Sequence, residues 1–226
     1  MTKEYIEVTN DLKFPEGPIY MPDGTIILVE IARGTLTRVN VDGSKDIIAD
    51  LGGGPNGAAI GPDGCAYVCN NGGFEWHEID GLLIPGGQGN DYSGGRIEKV
   101  DLKTGSVEII YTECDGNPLK GPNDIVFDKD GGFWFTDLGK TNGRIKDQGA
   151  LFYAKIDGTF IKEVVFPIES ANGVGLSPKE DVVYVADTTP GRLWGYPIIE
   201  PGVIDGPKSF GIHSSMHFIH GSSELA

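Results

Sequence analysis

The sequence has few basic residues and no long apolar run, and each shortage excludes a class of protein. Only 18 lysines and arginines stand against 33 aspartates and glutamates, which gives a formal net charge of −15. A surface this negative repels phosphate backbones and anionic lipid, so we predict neither nucleic-acid nor membrane partners. No stretch has the apolar length of a signal peptide or of a membrane span.

Cysteine is also scarce, and the three residues present are Cys65, Cys69 and Cys114. Cys65 and Cys69 would share one face of a strand at about 13 Å, which is too far apart for a disulfide. An odd count without a framework of spacings favours free thiols. We therefore predict three reduced cysteines and a cytoplasmic location.

Turn-forming residues are abundant instead, with 35 glycines and 14 prolines spread along the whole chain. This distribution is typical of many short strands joined by tight turns. Four segments repeat one pattern of a polar residue, a short alternating strand, a turn, and a second strand that ends in an acid or amide. They are EGPIYMPDGTIILVE from residue 16, NGAAIGPDGCAYVCN from 56, NDIVFDKDGGFWFTD from 123 and NGVGLSPKEDVVYVAD from 172.

Each repeated hairpin is followed by further strand-like sequence. These pieces are TLTRVNVDG, GRIEKVDLKTG, ALFYAKIDGT and RLWGYPI. Units of four strands at intervals of ~40–50 residues predict the blades of a β-propeller. The second interval is longer by roughly twenty residues than a blade of that size, and the insertion is the stretch 74–95. We predict an all-β fold, with residues 1–226 as a single propeller domain.

The first polar residue of every unit is Glu16, Asn56, Asn123 or Asn172. The first strand of each blade lines the central channel of a propeller, so we expect these side chains to meet there. One carboxylate with amide carbonyls is a hard-oxygen ligand set, which suits Ca²⁺, Mg²⁺ or Mn²⁺. The alternative is that Asn before Gly only forms a turn. Because the position is polar in all four units, we favour the metal site.

The last residue of every repeated hairpin is also polar. These residues are Glu30, Asn70, Asp137 and Asp187. They could form a second polar ring, or they could cap strand ends near a loop. We favour the capping interpretation.

At these residues the sequence resembles the regucalcin/gluconolactonase family of six-bladed β-propellers. The matching stretches are FPEGPIY, KGPNDIVFDKDGGFWFTD and SANGVGLSPKEDVVYVADT. The resemblance implies that Glu16, Asn123 and Asn172 are metal ligands. It also implies one divalent cation, with Ca²⁺ preferred over Mg²⁺, Mn²⁺ or Zn²⁺, and it places Asn56 in the lining of the substrate cavity.

The same resemblance implies a hydrolase that opens a sugar lactone, in which water attacks a metal-polarised carbonyl. A small-molecule lactone is then the expected partner. Trp76, His77 and Tyr92 of the insertion would cover the channel mouth and contact the substrate, unless the insertion is only a surface loop. The alternative functions are a phosphotriesterase-type hydrolase on the same site and a non-catalytic propeller that binds a cation or a partner.

One departure from the family concerns the number of blades. The family has six, whereas this sequence supplies about four and a half, and the aspartate expected as fourth ligand and general base is not found. The catalytic residue is therefore left open. We expect a fragment of a longer parent, with closure through a second copy at open sheet edges or a smaller ring as alternatives.

The C-terminal region offers two weaker candidates. Asp205, in VIDGPK, resembles an ordinary outer turn more than a replacement ligand. His213, His217 and His220 have spacings that could suggest a transition-metal site on a helix, but the surrounding sequence favours a loop or strand.

Overall fold

The computed structural model describes residues 6–206, and every regular element in that range is a β-strand. No helix in this range is long and apolar enough to cross a membrane. In chain order the strands are β1 (Pro15–Tyr20), β2 (Ile26–Glu30), β3 (Thr35–Val39), β4 (Lys45–Asp50), β5 (Pro55–Ile60), β6 (Ala66–Asn70), β7 (Phe74–Ile79), β8 (Leu82–Gln88), β9 (Arg96–Val100), β10 (Val107–Tyr111), β11 (Glu113–Cys114), β12 (Asn117–Pro118), β13 (Pro122–Phe127), β14 (Gly132–Asp137), β15 (Thr141–Asn142), β16 (Ile145–Lys146), β17 (Gly149–Lys155), β18 (Ile161–Ile168), β19 (Ala171–Leu176), β20 (Val182–Asp187), β21 (Arg192–Glu200) and β22 (Val203–Ile204).

Four antiparallel sheets of four strands each organise the described chain. Sheet 1 is β1-β2-β3-β4, sheet 2 is β5-β6-β9-β10, sheet 3 is β13-β14-β17-β18 and sheet 4 is β19-β20-β21-β22. Each sheet opens with one of the repeated hairpins, so the prediction of four such units is confirmed. Hairpin β7–β8 interrupts sheet 2 between its second and third strands, within the predicted insertion.

The opening hairpins of the four sheets have the same turn conformation, with one left-handed residue and one backbone hydrogen bond across the turn. Gly24, Gly64 and Gly131 have φ between 78° and 85°, and each N–H bonds back to the carbonyl three residues earlier. In sheet 4 this left-handed position is held by Glu180, with φ 56° and the same bond to Ser177. A fixed turn sets the register of the hairpin, and therefore which side chains face each neighbouring sheet.

Hydrophobic side chains fill the three spaces between successive sheets. Sheets 1 and 2 enclose Ile27, Val29, Leu36, Ala66, Val68 and Val100; sheets 2 and 3 enclose Tyr67, Cys69, Ile97, Phe133, Phe135 and Phe152; sheets 3 and 4 enclose Trp134, Leu151, Tyr153, Val183, Val185 and Tyr196. Successive residues of β6 and β14 point to opposite faces of their sheets. Sheets 2 and 3 are therefore covered on both faces.

The first strands of the sheets are neighbours, with β1 beside β5, β5 beside β13, and β13 beside β19. Sheets that stack face to face and meet along their first strands form a propeller arrangement. The predicted all-β class is confirmed. The predicted part of a fifth unit and the three C-terminal histidines lie outside the described residues. The three cysteines are free, as expected.

Candidate active site

Glu16, Asn56, Asn123 and Asn172 each occupy the second position of an inner strand, in β1, β5, β13 and β19. Asn123 is buried, Asn56 and Asn172 are half-buried, and Glu16 is exposed. Because these inner strands are adjacent, equivalent positions lie at the same level of the channel. The fold thus gives the three predicted metal ligands and Asn56 a common location.

The backbones of the inner strands approach closely just after these polar residues. A Cβ atom on Gly57 would lie 2.5 Å from the carbonyl oxygen of Asn123 and 2.6 Å from the Cα of Asp124. A Cβ atom on Gly17 would lie 2.7 Å from the backbone nitrogen of Ala58. Glycine is therefore required at both positions, because any side chain would push neighbouring sheets apart.

Asp124 is the functional candidate that the sequence analysis missed. Its Oδ2 accepts a 2.9 Å hydrogen bond from the N–H of Val174 in sheet 4, and its Oδ1 accepts one of 2.9 Å from Ile125. The repeat offered a signal: the residue after the first polar position is glycine in three units and aspartate in the third. Asp124 and Glu16 are the two carboxylates on the four inner strands.

Partial loss of hydration raises the proton affinity of both inner-strand carboxylates, and the effect is larger for Asp124 than for the more exposed Glu16. Asp124 keeps some accessible surface but lies deep in the protein, and this burial raises its pKa to about 6. The N–H groups of Val174 and Ile125 oppose the shift, while the negative charge of Glu16 adds to it. Loss of hydration also raises the pKa of Glu16, partly offset by the Gly17 N–H at 3.4 Å.

The polar residue that closes each opening hairpin fixes the loop before the inner strand. The equivalent hydrogen bonds are Lys13 N to Glu30 Oε2 (2.7 Å), Gly54 N to Asn70 Oδ1 (2.9 Å), Gly121 N to Asp137 Oδ1 (2.7 Å) and Ser170 N to Asp187 Oδ1 (2.8 Å). Each donor lies two or three residues before a predicted site residue. The capping interpretation is confirmed, and these caps position the start of every inner strand.

The insertion forms hairpin β7–β8, and β8 lies beside β15 of the small β15–β16 hairpin, which connects β14 to β17 of sheet 3. Trp76 packs its ring 5.2 Å from that of Phe14, and Tyr92 donates a 2.7 Å hydrogen bond to the carbonyl of Lys120. His77 is half-exposed, with Nε2 3.9 Å from the carboxylate of Glu75. These contacts tie the hairpin to sheet 1 and to the entry of sheet 3.

A cavity of about 330 Å³ separates the hairpin from sheets 3 and 4. Residues that line it include Phe74, Lys140, Lys146, Asn172, Thr188 and Thr189. The cavity therefore connects the predicted ligand Asn172 with the base of the insertion. Trp76, His77, Tyr92 and Asn56 do not line it, and Phe74 supplies its aromatic wall.

The donor set at the inner strands consists mainly of amides. Residues 6–206 contain no cluster of three or more His, Cys, Asp or Glu side chains that could hold a metal. No side-chain hydrogen bond within this part of the chain engages the carboxamide of Asn123 or Asn172, so their oxygens are available. Amide and carboxylate oxygens fit a hard divalent cation. Asp205 follows the outermost strand of sheet 4 and is exposed, so it is not part of this set.

The sequence model of the SMP-30/gluconolactonase/LRE-like region matches residues 14–217. The chain belongs to this family. One relative is the lactonase drp35 of Staphylococcus saprophyticus, which is 30% identical over 206 residues. The alignment covers 90% of this chain and 57% of that protein. The chain therefore spans little more than half the length of this relative.

Solved structures of the SMP-30/gluconolactonase/LRE-like type share the fold. A gluconolactonase from Xanthomonas campestris superposes with a TM-score of 0.69 at 18% identity, covering 89% of this chain and 63% of that one. The calcium-binding protein regucalcin from Agrobacterium tumefaciens gives a TM-score of 0.63 at 18% identity, covering 86% and 58%. These likenesses confirm the predicted fold class.

Proposed function

We propose that the protein is a divalent-metal-dependent hydrolase that opens the ring of sugar lactones. The observation that carries this proposal is the set of oxygen-bearing side chains at equivalent positions of four adjacent inner strands. The similarity to lactonase drp35 and to a gluconolactonase supports a lactone substrate. The similarity to a calcium-binding regucalcin supports Ca²⁺ as the preferred cation.

Glu16, Asn123 and Asn172 hold the cation in this proposal, and Asn56 contacts the substrate from the neighbouring strand. When bound, the cation would polarise the lactone carbonyl and stabilise the negative charge that develops on its oxygen. Glu16 contributes the formal charge, and the two asparagines contribute neutral oxygens. The caps behind these residues keep the ligands in place before the cation arrives.

Asp124 is our candidate for the general base, the role that the sequence analysis left open. Each of its oxygens accepts one backbone hydrogen bond, which fixes the carboxylate plane and leaves a further lone pair on each oxygen. With a pKa of about 6, the group is mostly ionised at neutral pH and still basic enough to take a proton from water. The proton leaves water as its oxygen attacks the carbonyl carbon.

Lactone opening releases acid, so turnover can be followed with a pH indicator in weak buffer. We expect hydrolysis of D-glucono-δ-lactone with added CaCl₂, loss of activity after treatment with a chelator, and recovery on adding Ca²⁺ back. Spontaneous hydrolysis is subtracted with a blank that contains no protein, and the Glu16→Gln variant is measured separately. Absence of turnover by a folded protein that binds Ca²⁺ would refute the enzymatic proposal.

The same preparation discriminates the alternative functions. Faster hydrolysis of a phosphotriester than of any lactone would favour the phosphotriesterase-type enzyme. Calcium binding without turnover of either substrate class would favour a cation-binding propeller.

The free thiols of Cys65, Cys69 and Cys114 are in keeping with the proposed cytoplasmic location.

A further inference from the structure

The cavity beside Asn172 has the size of a small-ligand site, and the mechanism above does not use most of it. Its volume of about 330 Å³ lies within the usual range for ligand pockets. It is bounded by hairpin β7–β8 on one side and by the loop Thr188–Thr189 of sheet 4 on the other. Two separate elements thus enclose a space that opens next to a proposed metal ligand.

The charged residues that line the cavity are basic, although the protein as a whole is strongly negative. Lys140 and Lys146 both line it, and none of the described lining residues is acidic. The chain carries a formal net charge of −15, with nearly two acidic residues for each basic one. Glu169 lies 3.6 Å from Lys146 Nζ, and the charge of Asp137 acts on Lys140, so both lysines are partly balanced from outside the lining. The charges that face the cavity itself are basic and favour an anion over a cation, because the field in a cleft is set by its nearest charges.

Lys140 is the unusual residue, since it is only 4% exposed. Its Nζ donates hydrogen bonds to Asn71 Oδ1 at 2.9 Å and to the carbonyl of Gly73 at 2.8 Å. It also lies 3.9 Å from the centre of the Phe74 ring. None of the ion pairs formed by residues 6–206 includes Lys140. The hydrogen-bond acceptors of this ammonium are both neutral, and the carboxylate of Asp137 acts on it without forming an ion pair. Such a buried cation is stabilised further when an anion binds nearby.

Hydroxyl groups and one aromatic ring complete the lining. Thr188 and Thr189 both line the cavity, and Thr189 Oγ1 accepts a hydrogen bond from Lys146 Nζ at 3.3 Å. Phe74 faces the cavity with an apolar ring held over Lys140. Hydroxyls bind polyols through hydrogen bonds, while an aromatic face accepts the C–H side of a sugar-like chain.

We propose that this cavity binds a polyhydroxylated carboxylate, the ring-opened product of the lactone, with Lys146 and Lys140 compensating its charge. The inference rests on the proposed function for the source of the ligand. In hydrolysis, the oxygen of water bonds to the carbonyl carbon and the ring carbon–oxygen bond breaks. The ring oxygen leaves as a hydroxyl group, and a proton is released from the new carboxylic acid. The new negative charge then lies within reach of two cations.

Product binding is tested without turnover, by calorimetric titration of the whole protein with D-gluconate in the presence of a chelator. The chelator prevents a bound cation from holding the carboxylate. We expect Lys146→Met and Lys140→Met to weaken binding about tenfold each. Lys129→Met, which removes an exposed lysine far from the cavity lining, is the matched control. Glu169→Gln should tighten binding two- to threefold, because Glu169 lies 3.6 Å from Lys146 Nζ and competes for it.

Ligand analogues and kinetics complete the experiment. Equal affinity for D-sorbitol, which has hydroxyls but no charge, would overturn the anionic assignment. Equal affinity for inorganic sulfate would overturn the hydroxyl assignment. Lys146 lies at the surface, so its variant keeps the test valid if Lys140→Met fails to fold. Lactone turnover without gluconate binding refutes this inference alone, and gluconate binding without turnover refutes the proposed hydrolase alone.

Discussion

The carboxylate of Asp124 in sheet 3 accepts a 2.9 Å hydrogen bond from the backbone N–H of Val174 in sheet 4. Val174 lies two residues after Asn172 on the same inner strand. One side chain therefore joins two sheets at the level of the proposed metal ligands. The same group is our candidate base, so its structural and chemical contributions must be measured separately.

We predict that Asp124→Asn lowers kcat for lactone hydrolysis by about 10²–10⁴, the usual contribution of a general base. Asparagine can keep an oxygen for the Val174 N–H, but its NH2 group then replaces the oxygen that accepts the Ile125 N–H. Circular dichroism and the urea midpoint of the variant therefore check that it is folded. Asp130→Asn, in the turn of the same hairpin, is the control and should retain activity. If Asp124→Asn keeps more than half of the wild-type kcat, Asp124 is not the base.

Calcium should stabilise the folded protein, because it binds the native site and not the unfolded chain. At a concentration of 100 Kd the gain is about 2.7 kcal/mol, which corresponds to roughly 5–10 °C in Tm for a chain of this size. Glu16→Gln removes the only charged member of the proposed ligand set and should abolish most of this shift. Glu108→Gln, on an exposed outer strand, should leave it intact. An unchanged shift in Glu16→Gln would place the cation elsewhere.

Because Asp187 caps the loop before β19, we predict that alanine at this position lowers the free energy of unfolding more than asparagine does. Asp187→Ala leaves the buried N–H of Ser170 without its acceptor, at about 1–3 kcal/mol. It also removes the acceptor of the half-buried indole N–H of Trp194, which water can partly replace. Asp187→Asn should cost less, since Asn70 holds the equivalent cap in sheet 2 with a side-chain amide. Urea unfolding midpoints measure both effects, with exposed Asp205→Ala as the control. Equal losses for alanine and asparagine would show that the cap oxygen does not matter.

Because the Lys140 side chain is buried, we predict that the stability of the folded protein depends on pH. Burial lowers its pKa to about 7, while the charge of Asp137 partly opposes this. The other ionisable neighbours are Asp147, which accepts the Lys140 backbone N–H at 3.3 Å, and Tyr92, whose ring centre lies 5.4 Å from Nζ. A lysine in an unfolded chain titrates near ~10.4.

The unfolded chain therefore binds more protons between about pH 7 and pH 10, and the contribution of Lys140 to stability rises with pH across that window. Below pH 7 the charged form is retained in both states, and the full penalty of burying it is present. Lys140→Met should flatten the rise in Tm relative to wild type over this range. Parallel curves for the two proteins would contradict the lowered pKa.

The sequence repeat was sufficient to predict the opening hairpins, because each one carries its own turn chemistry. The metal-ligand hypothesis for Asn123 followed from the same repetition. Asp124 is not part of the repeat, because it stands where the other three units have glycine. Its significance depends on a hydrogen bond to a residue 50 positions away.

Lys140 could not be predicted from local sequence. A lysine between glycine and threonine usually indicates exposed surface. It becomes buried because the base of the insertion, contributed by sheet 2, folds over it and supplies acceptors 67 and 69 residues away. The cavity arises in the same way, from two loops that no repeat relates. Sites that form through such tertiary contacts do not appear as a repeat in the sequence.

The close packing around Asp124 limits how this channel could be redesigned. Gly57 and Gly173 flank it on the neighbouring inner strands, and the space that their missing side chains leave is where its carboxylate lies. An aspartate introduced at residue 57 would meet the backbone of Asn123 and Asp124 before it reached the channel. Exchanging the two residues would not help, because the nearest atoms that a Cβ at residue 57 would meet belong to the backbone and stay in place. A different charge at this point of the channel must therefore come from residue 124 itself.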